Sequence, residues 1–235
     1  MDLSEYESSL NFSLSSNAAY TVMQNLPGSF YELIKKCAEK YDSDYVFIDM
    51  NPGLSALNEV FFIYCDGFIV PTNPDPFALM AMKTLSKTLP KWKKVSENSS
   101  ETFAKSSYPI PQTKMLFLGE IIQRFNIRNG VAARPYQGRI TEIKEYVNDD
   151  FVKVMKNNQM LITDEKKIQN YNYCLGEIPD FGSLIQKANK VQKPVLALTA
   201  DEIGEVGTVF ENLEKKRKTI DSLFESIAEV IINNL

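Results

Sequence analysis

Short apolar runs alternate with longer helical patterns along the chain, and this alternation limits the possible folds more than any other feature. Four apolar runs are predicted to be strands, at 45–48, 67–70, 114–125 and 173–178. Around them, apolar residues recur at steps of three and four, which predicts helices at 20–40, 54–64, 76–92, 139–157 and 205–235. Strands alternating with helices indicate right-handed crossovers. We therefore predict an α/β fold: a mostly parallel, twisted sheet with helices on both faces.

Two local patterns refine this prediction. Asp75 followed by Pro76 is typical of a helix start, because proline at the first helical position loses no backbone hydrogen bond. The stretch 96–112 is rich in Ser, Asn and Pro and is predicted to be a long mobile loop. The loop is not a domain boundary, so we expect a single domain over 1–235.

Composition and charge exclude several classes of function. The net charge of −4 shows no overall basic excess, so any binding to a polyanion must be local. The sequence contains no histidine, which excludes Ser–His and Cys–His nucleophile pairs. The three cysteines lie far apart, as expected of thiols in a reducing cytosol. The acidic start has no signal-peptide pattern, and no apolar run is long enough to span a bilayer, so a cytoplasmic location is expected.

In a parallel sheet the ligand crevice lies at the carboxyl ends of the strands. Three loops are predicted to meet there: Asp49-Met50-Asn51-Pro52, the stretch 71–75, and Pro179-Asp180-Phe181. Asp49 ends an apolar strand, where a carboxylate can hold magnesium beside phosphates. A turn aspartate that begins the loop to the next helix explains the same position equally well.

The order of these stretches resembles the ParA/MinD family of deviant-Walker ATPases, and most of all the ParA-like proteins of the AAA_31 type. The resemblance covers most of the chain from about residue 42 to the end. It is carried by the Asp49 loop, "FIVPTNPDPFALMAMKTL", "LGEIIQRF" and "CLGEIPDFGSLIQKANKVQKPVLAL". The opening "DLSEYE" also resembles a segment from the middle of such proteins. These proteins partition plasmids and chromosomes or position cellular cargo.

The resemblance implies roles for individual residues. Asp49 matches the Walker B acid, which acts on magnesium or its water, and Asn51, Pro52 and Gly53 match the switch that follows it. Asn51 stands where members often have a first proline. Gln123 matches a polar position near adenine, and Pro179 with Asp180 matches the loop that covers the base; a solvent-facing glutamine and an ordinary X-Pro turn are the alternatives.

One part of the family pattern has no counterpart in this sequence. Family members carry a K-G-G-x-G-K-[ST] phosphate loop, and no G-K-[ST] occurs here. The chain thus resembles the C-terminal two-thirds of a ParA-like ATPase domain, truncated at the N-terminus. ATP and Mg²⁺ are cofactors of the full-length family, and we expect this chain to bind neither on its own.

The family binds DNA non-specifically through surface cations, and two groups of basic residues are candidates. The first contains Arg124, Arg128, Arg134 and Arg139; the second is the run 215–218, for which a solvated helix face is the favoured interpretation. The resemblance also implies a homodimer and an activator protein of the partition type. The C-terminal apolar stripe has no basic face, so a MinD-like membrane helix is not expected.

Two functions remain open at this stage. The first is a ParA-like partition or positioning ATPase, inactive without the phosphate loop. The second is a non-catalytic, degenerate ParA-like interaction module that keeps only the partner and dimer surfaces.

The missing phosphate loop leads to a first prediction. Calorimetric titration of the chain with ATP and magnesium should show no measurable binding, because affinity at such sites comes largely from N–H groups and a lysine around the phosphates. Saturable binding in the micromolar range would contradict it.

Overall fold

The fold is described from a computed structural model, which covers residues 3–15, 23–51, 53–128, 130–162 and 172–235. It is an α/β structure in which helices flank a three-stranded parallel sheet, so the predicted fold class is confirmed. The chain divides into two compact units. The first contains residues 1–68, 84–117 and 155–160, and the second contains 69–83, 118–154 and 161–235. The single domain proposed from the sequence stays a prediction.

Helices build the core of the first unit. They are a 3₁₀ turn at Leu3–Tyr6, α1 at Glu7–Ser15, α2 at Leu26–Tyr41 and α3 at Ala56–Ile63. Leu10, Phe30, Val60 and Ile63 are buried together between these helices. Gly28 in α2 lies so close to the Tyr108 carbonyl that an added Cβ would be 1.8 Å from its oxygen, so only glycine fits there.

The sheet has the strand order β1-β2-β5. Its strands are β1 at Gly67–Thr72, β2 at Leu116–Phe125 and β5 at Cys174–Pro179, which confirms three of the four predicted strands. β2 pairs with β5 in parallel, with Glu120 opposite Cys174 and Gln123 opposite Ile178. A separate antiparallel pair follows β2, with β3 at Ile127–Arg128 and β4 at Val131–Ala132.

Helix α4, at Ala78–Thr102, begins two residues after the predicted Pro76 and ends ten residues after the predicted end. The Asp75 carboxylate accepts hydrogen bonds from the backbone N–H groups of Phe77 and Ala78, at 2.8 and 3.0 Å. The predicted loop at 96–112 is wrong for its first seven residues, which continue the helix. Ser96, Ser99 and Ser100 are buried, and the Ser100 hydroxyl donates to the Glu97 carbonyl inside the helix.

Among the described residues, five further helices belong mainly to the second unit. They are α5 at Arg134–Tyr146, α6 at Val152–Asn157, α7 at Ser183–Val191, α8 at Ala200–Ile203 and α9 at Gly207–Asn234. A π-helical turn at Val147–Phe151 joins α5 to α6. Helix α9 packs on β5, where a Cβ on Gly176 would lie 3.0–3.1 Å from Leu223 and Ile227. The predicted closing helix is therefore confirmed.

The predicted strand at 45–48 is wrong. Residues 45–51 have no regular secondary structure, and the apolar side chains from Tyr45 to Ile48 are exposed, with Phe47 76% accessible. A strand forms only where a neighbouring strand accepts its backbone hydrogen bonds. In the sheet of the described residues, this segment pairs with none of the three strands. The apolar pattern is suited to a buried strand, but no neighbouring strand of the described sheet pairs with this segment.

Within the described ranges, no helix is long and apolar enough to cross a membrane.

The exposed apolar segment predicts self-association of the isolated chain. An extended apolar stretch with unpaired backbone groups is a template for pairing with another chain. We expect Phe47→Asp to reduce association in light scattering and sedimentation. Phe77→Asp is the matched control, because Phe77 is 72% exposed but lies outside this segment. A wild-type chain that is a stable monomer with a cooperative thermal transition would contradict this prediction.

Candidate functional site

The switch-like loop is closed by one buried side chain. Asn58 in α3 is only 2% exposed, and its Nδ2 donates hydrogen bonds of 2.8 Å to the carbonyls of both Asn51 and Gly53. Gly53 has a φ of +141°, a conformation that side-chain-bearing residues rarely adopt. Pro52 lies outside the described residues. The loop therefore has a fixed anchor at α3, although its own residues are exposed.

The N-terminus of α3 is capped twice. Ser55 is the N-cap, and its Oγ accepts a hydrogen bond from the Asn58 N–H at 3.2 Å. The Glu7 carboxylate of α1 accepts from the N–H groups of Ala56 and Leu57, at 3.0 and 3.4 Å. A helix N-terminus of this kind is a ready anion site. Here the chain's own carboxylate occupies it.

Asp49 is exposed in the irregular segment that leads into the loop. In phosphoryl-transfer sites, Mg²⁺ is held by one or two carboxylates together with the substrate phosphates. Asp49 can supply one carboxylate, but the phosphates also need N–H donors, and the first-turn donors of α3 are already bonded to Glu7 and Ser55. The described residues therefore do not fit Mg-ATP on their own, and they define no catalytic step.

The residues predicted to lie near a base are brought together in the second unit. Gln123 pairs with Ile178, one residue before Pro179, so these side chains lie at the carboxyl ends of neighbouring parallel strands. The Asp180 N–H donates to the Phe125 carbonyl at 2.9 Å, and the Asp180 carboxylate accepts from the Gly182 N–H at 2.6 Å. The second bond is a local turn contact. Gln123, Pro179 and Asp180 therefore lie close together, while their contact with a base stays a prediction.

The four arginines lie in three elements, β2, β3 and α5. Arg124 is near the end of β2, Arg128 is in β3, and all but Arg139 are exposed. Arg134 is the first residue of α5, and Arg139 pairs with Glu142 at 2.6 Å. At 3.6 residues per turn, positions 134 and 139 differ by about 140° around the helix, so they do not share a face. Arg124, Arg128 and Arg134 are therefore better candidates for phosphate contact than Arg139.

The basic run at 215–218 lies on α9, and two of its four cations are paired. Arg217 donates to Glu214 and to the Leu196 carbonyl, and Lys218 lies 3.6 Å from Glu214. This fits the interpretation of a solvated helix face, stabilised by local ion pairs.

Sequence reasoning missed a buried carboxylate in the middle strand of the sheet. Glu120 is 0% exposed, and neither of its carboxylate oxygens has a hydrogen-bond partner among the described residues. Burial raises the pKa of Glu120 to about 7; the Lys144 ammonium opposes this rise and the Glu177 carboxylate adds to it. A lone acid within "LFLGEIIQRF" was the only signal.

Comparisons with known proteins bear on the N-terminal part of the chain. Residues 1–102 match the AAA_31 family model, which is described as an AAA domain. The predicted AAA_31 resemblance is thereby confirmed over residues 1–102, which are less than half of the chain, and the likeness predicted beyond residue 102 stays a prediction. The parallel sheet flanked by helices is compatible with a P-loop NTPase-like fold. Neither the curated proteins nor the solved structures gave a match.

The buried carboxylate predicts an unusual pH dependence of stability. The pKa of Glu120 is higher in the folded chain than in the unfolded one, so the folded state binds more protons between about pH 4.5 and 7, and stability falls as pH rises through that window. Glu120→Gln should remove this pH-dependent loss of stability, because glutamine does not ionise. In urea unfolding, the variant should match the wild type near pH 5 and exceed it by up to about 3 kcal/mol near pH 8.

The same substitution at exposed Glu101 is the control and should show no such pH-dependent difference. A Glu120→Gln variant that is less stable than wild type at the higher pH would show that the ionised carboxylate is stabilised in the folded chain.

Proposed function

We propose that the chain acts as a ParA-like partition or positioning factor, in a system that uses ATP, Mg²⁺, a second copy of the chain and non-specific DNA. The match of residues 1–102 to the AAA domain carries this proposal. The matched part contains the Asp49 loop, Asn58, which holds the loop, and Glu7, which caps α3. An activator protein of the partition type is a further expected partner.

The residues predicted to contact the nucleotide have distinct roles in this proposal. Because these residues do not fit Mg-ATP on their own, Asp49 would act on magnesium or its water only beside a phosphate loop supplied by another part of the system, and Asn51, Pro52 and Gly53 would then report the state of the nucleotide. Because Asn58 holds the carbonyls of Asn51 and Gly53, a shift of the loop would be transmitted directly to α3. Gln123, Pro179 and Asp180 would line the base, which is supported by their position at adjacent strand ends.

DNA contact is assigned to the exposed arginines of the second unit. A protein with a net charge of −4 can bind a polyanion only where cations gather locally. Arg124, Arg128 and Arg134 are exposed within eleven consecutive positions, whereas Arg139 is neutralised by Glu142.

Two observations favour a second candidate function, a non-catalytic interaction module. The apolar segment from Tyr45 to Met50 is exposed and does not join the sheet. The Glu7 carboxylate also occupies a helix N-terminus that could otherwise bind an anion. A chain that keeps these features in solution would associate with partners without nucleotide chemistry.

A salt titration of DNA binding tests the first candidate. Binding to non-specific duplex should be weak, around 10⁻⁴ M at physiological salt, and should weaken steeply as salt rises. Replacing Arg128 and Arg134 with alanine should flatten the log–log salt slope by up to about two units, because each phosphate contact contributes about one.

Lys215→Ala with Lys216→Ala is the matched control and should change the slope less. Equal losses from both pairs would indicate a diffuse electrostatic effect. A complete lack of salt-dependent binding, with self-association retained, would favour the interaction module.

A further inference from the structure

A cavity of about 960 Å³ lies beside β5 within the second unit. One wall is formed by α5 and the π-helical turn, and the other by β5 and Leu223 of α9. Its polar lining consists mainly of Thr141, Lys144, Glu145, Asn148, Asp149 and Glu177. This volume is within the range of small-molecule sites. None of these residues takes part in the proposed nucleotide or DNA contacts.

The buried carboxylate of Glu120 lies behind the wall of this cavity, where it interacts electrostatically with the lining residues Lys144, Cys174 and Glu177. Glu120 is paired in register with Cys174 on the neighbouring strand, and register partners project to the same side of a sheet. Cys174 lines the cavity. An unpartnered carboxylate buried behind the cavity wall is a costly arrangement, and it favours a site in which another group can compensate the charge.

The cavity has more negative than positive charge. Lys144 pairs with Glu177, and both interact electrostatically with Glu120. Glu145 and Asp149 lie at the exposed rim, one helical turn apart, or about 6 Å along the axis. The group thus contains four carboxylates and one ammonium. Its charge complements a ligand with more than one positive centre.

A π-helical turn contributes two of the polar side chains that line the cavity. Asn148 and Asp149 belong to the π-helical turn, whose ends Val147 and Phe151 are fully buried. Turns of this kind are rare and frequently occur at functional sites. The wider turn shifts the following residues around the axis and presents Asn148 and Asp149 to the cavity.

The residues that line the cavity limit the classes of ligand that it can bind. Across the described residues, no group of three or more His, Cys, Asp or Glu could hold a metal ion. Burial raises the pKa of the Cys174 thiol to about 11, so it is not a nucleophile near neutral pH. An anion would meet repulsion from most of the acidic lining. An organic cation is the remaining ligand that the charges suit.

We infer that this cavity binds an aliphatic diamine. One ammonium group pairs with Glu177, which releases Lys144 to turn toward the carboxylate of Glu120. The other ammonium group lies at the rim between Glu145 and Asp149. One flexible diamine thereby compensates the negative charge of Glu120 and neutralises the carboxylates of Glu145 and Asp149 at the rim. It is independent of ATP and DNA.

Calorimetry of the full chain with putrescine tests the inference, with butylamine as the single-charge comparison. We expect saturable putrescine binding with a Kd below about 1 mM, and binding of butylamine at least tenfold weaker. Glu177→Gln should weaken putrescine binding at least tenfold, and Asp149→Asn should weaken it several-fold. Glu101→Gln makes the same charge change outside the cavity and should leave the Kd unchanged.

A pH series adds a second readout. In the wild type, putrescine affinity should rise as Glu120 ionises between about pH 6 and 8.5, whereas Glu120→Gln should remove most of that rise. Lys144, Glu177 and Cys174 are the titratable neighbours of Glu120, and they are unchanged in this variant. Absence of saturable binding, equal binding of the two amines, or equal losses in Glu177→Gln and Glu101→Gln would overturn the inference.

Discussion

The parallel pairing of β2 with β5 determines what the second unit can present at its surface. β2 is the middle strand, and its register on β5 sets Gln123 beside Ile178 and Glu120 beside Cys174. The first pairing brings the predicted base-side residues to one sheet end. The second places a buried acid behind the wall of the cavity between α5, β5 and α9. Because side chains alternate along a strand, a shift of one residue in register would move Glu120 to the opposite face.

The first unit depends on a different kind of constraint, a small set of polar side chains that satisfy backbone groups. Asn58 bonds to two loop carbonyls, and Glu7 bonds to two N–H groups at the start of α3. The two Asn58 bonds tie the loop to α3, and the two Glu7 bonds cap the helix. The N–H groups bonded to Glu7 are donors that an incoming phosphate would need. In this arrangement, helix capping by Glu7 and anion binding compete for the same atoms.

Much of the fold could be predicted from sequence, because periodicity reports which faces are apolar. It located β1, β2, β5 and the closing helix, and the acid-proline pair located the start of α4. The failures have physical causes. Tyr45 to Ile48 have a strand pattern, but a pattern cannot show that a neighbouring strand is available. The serines at 96–100 have loop composition, yet they are buried in a helix. Glu7, Asn58 and Glu120 matter through contacts that only the folded chain reveals.

Helix α5 begins with a cation at a position that does not serve its own stability. The macrodipole disfavours Arg134 there by a few tenths of a kcal/mol, whereas Glu145 lies inside a helix that continues through the π-helical turn into α6. A cation at a helix start is expected when surface charge is kept for binding. Arg134 and Glu145 are eleven residues apart, or about 16 Å along the axis, which exceeds the screening length of roughly 8 Å at physiological salt. The arginine end can therefore attract a polyanion while the acidic end attracts an organic cation, with little interference between them.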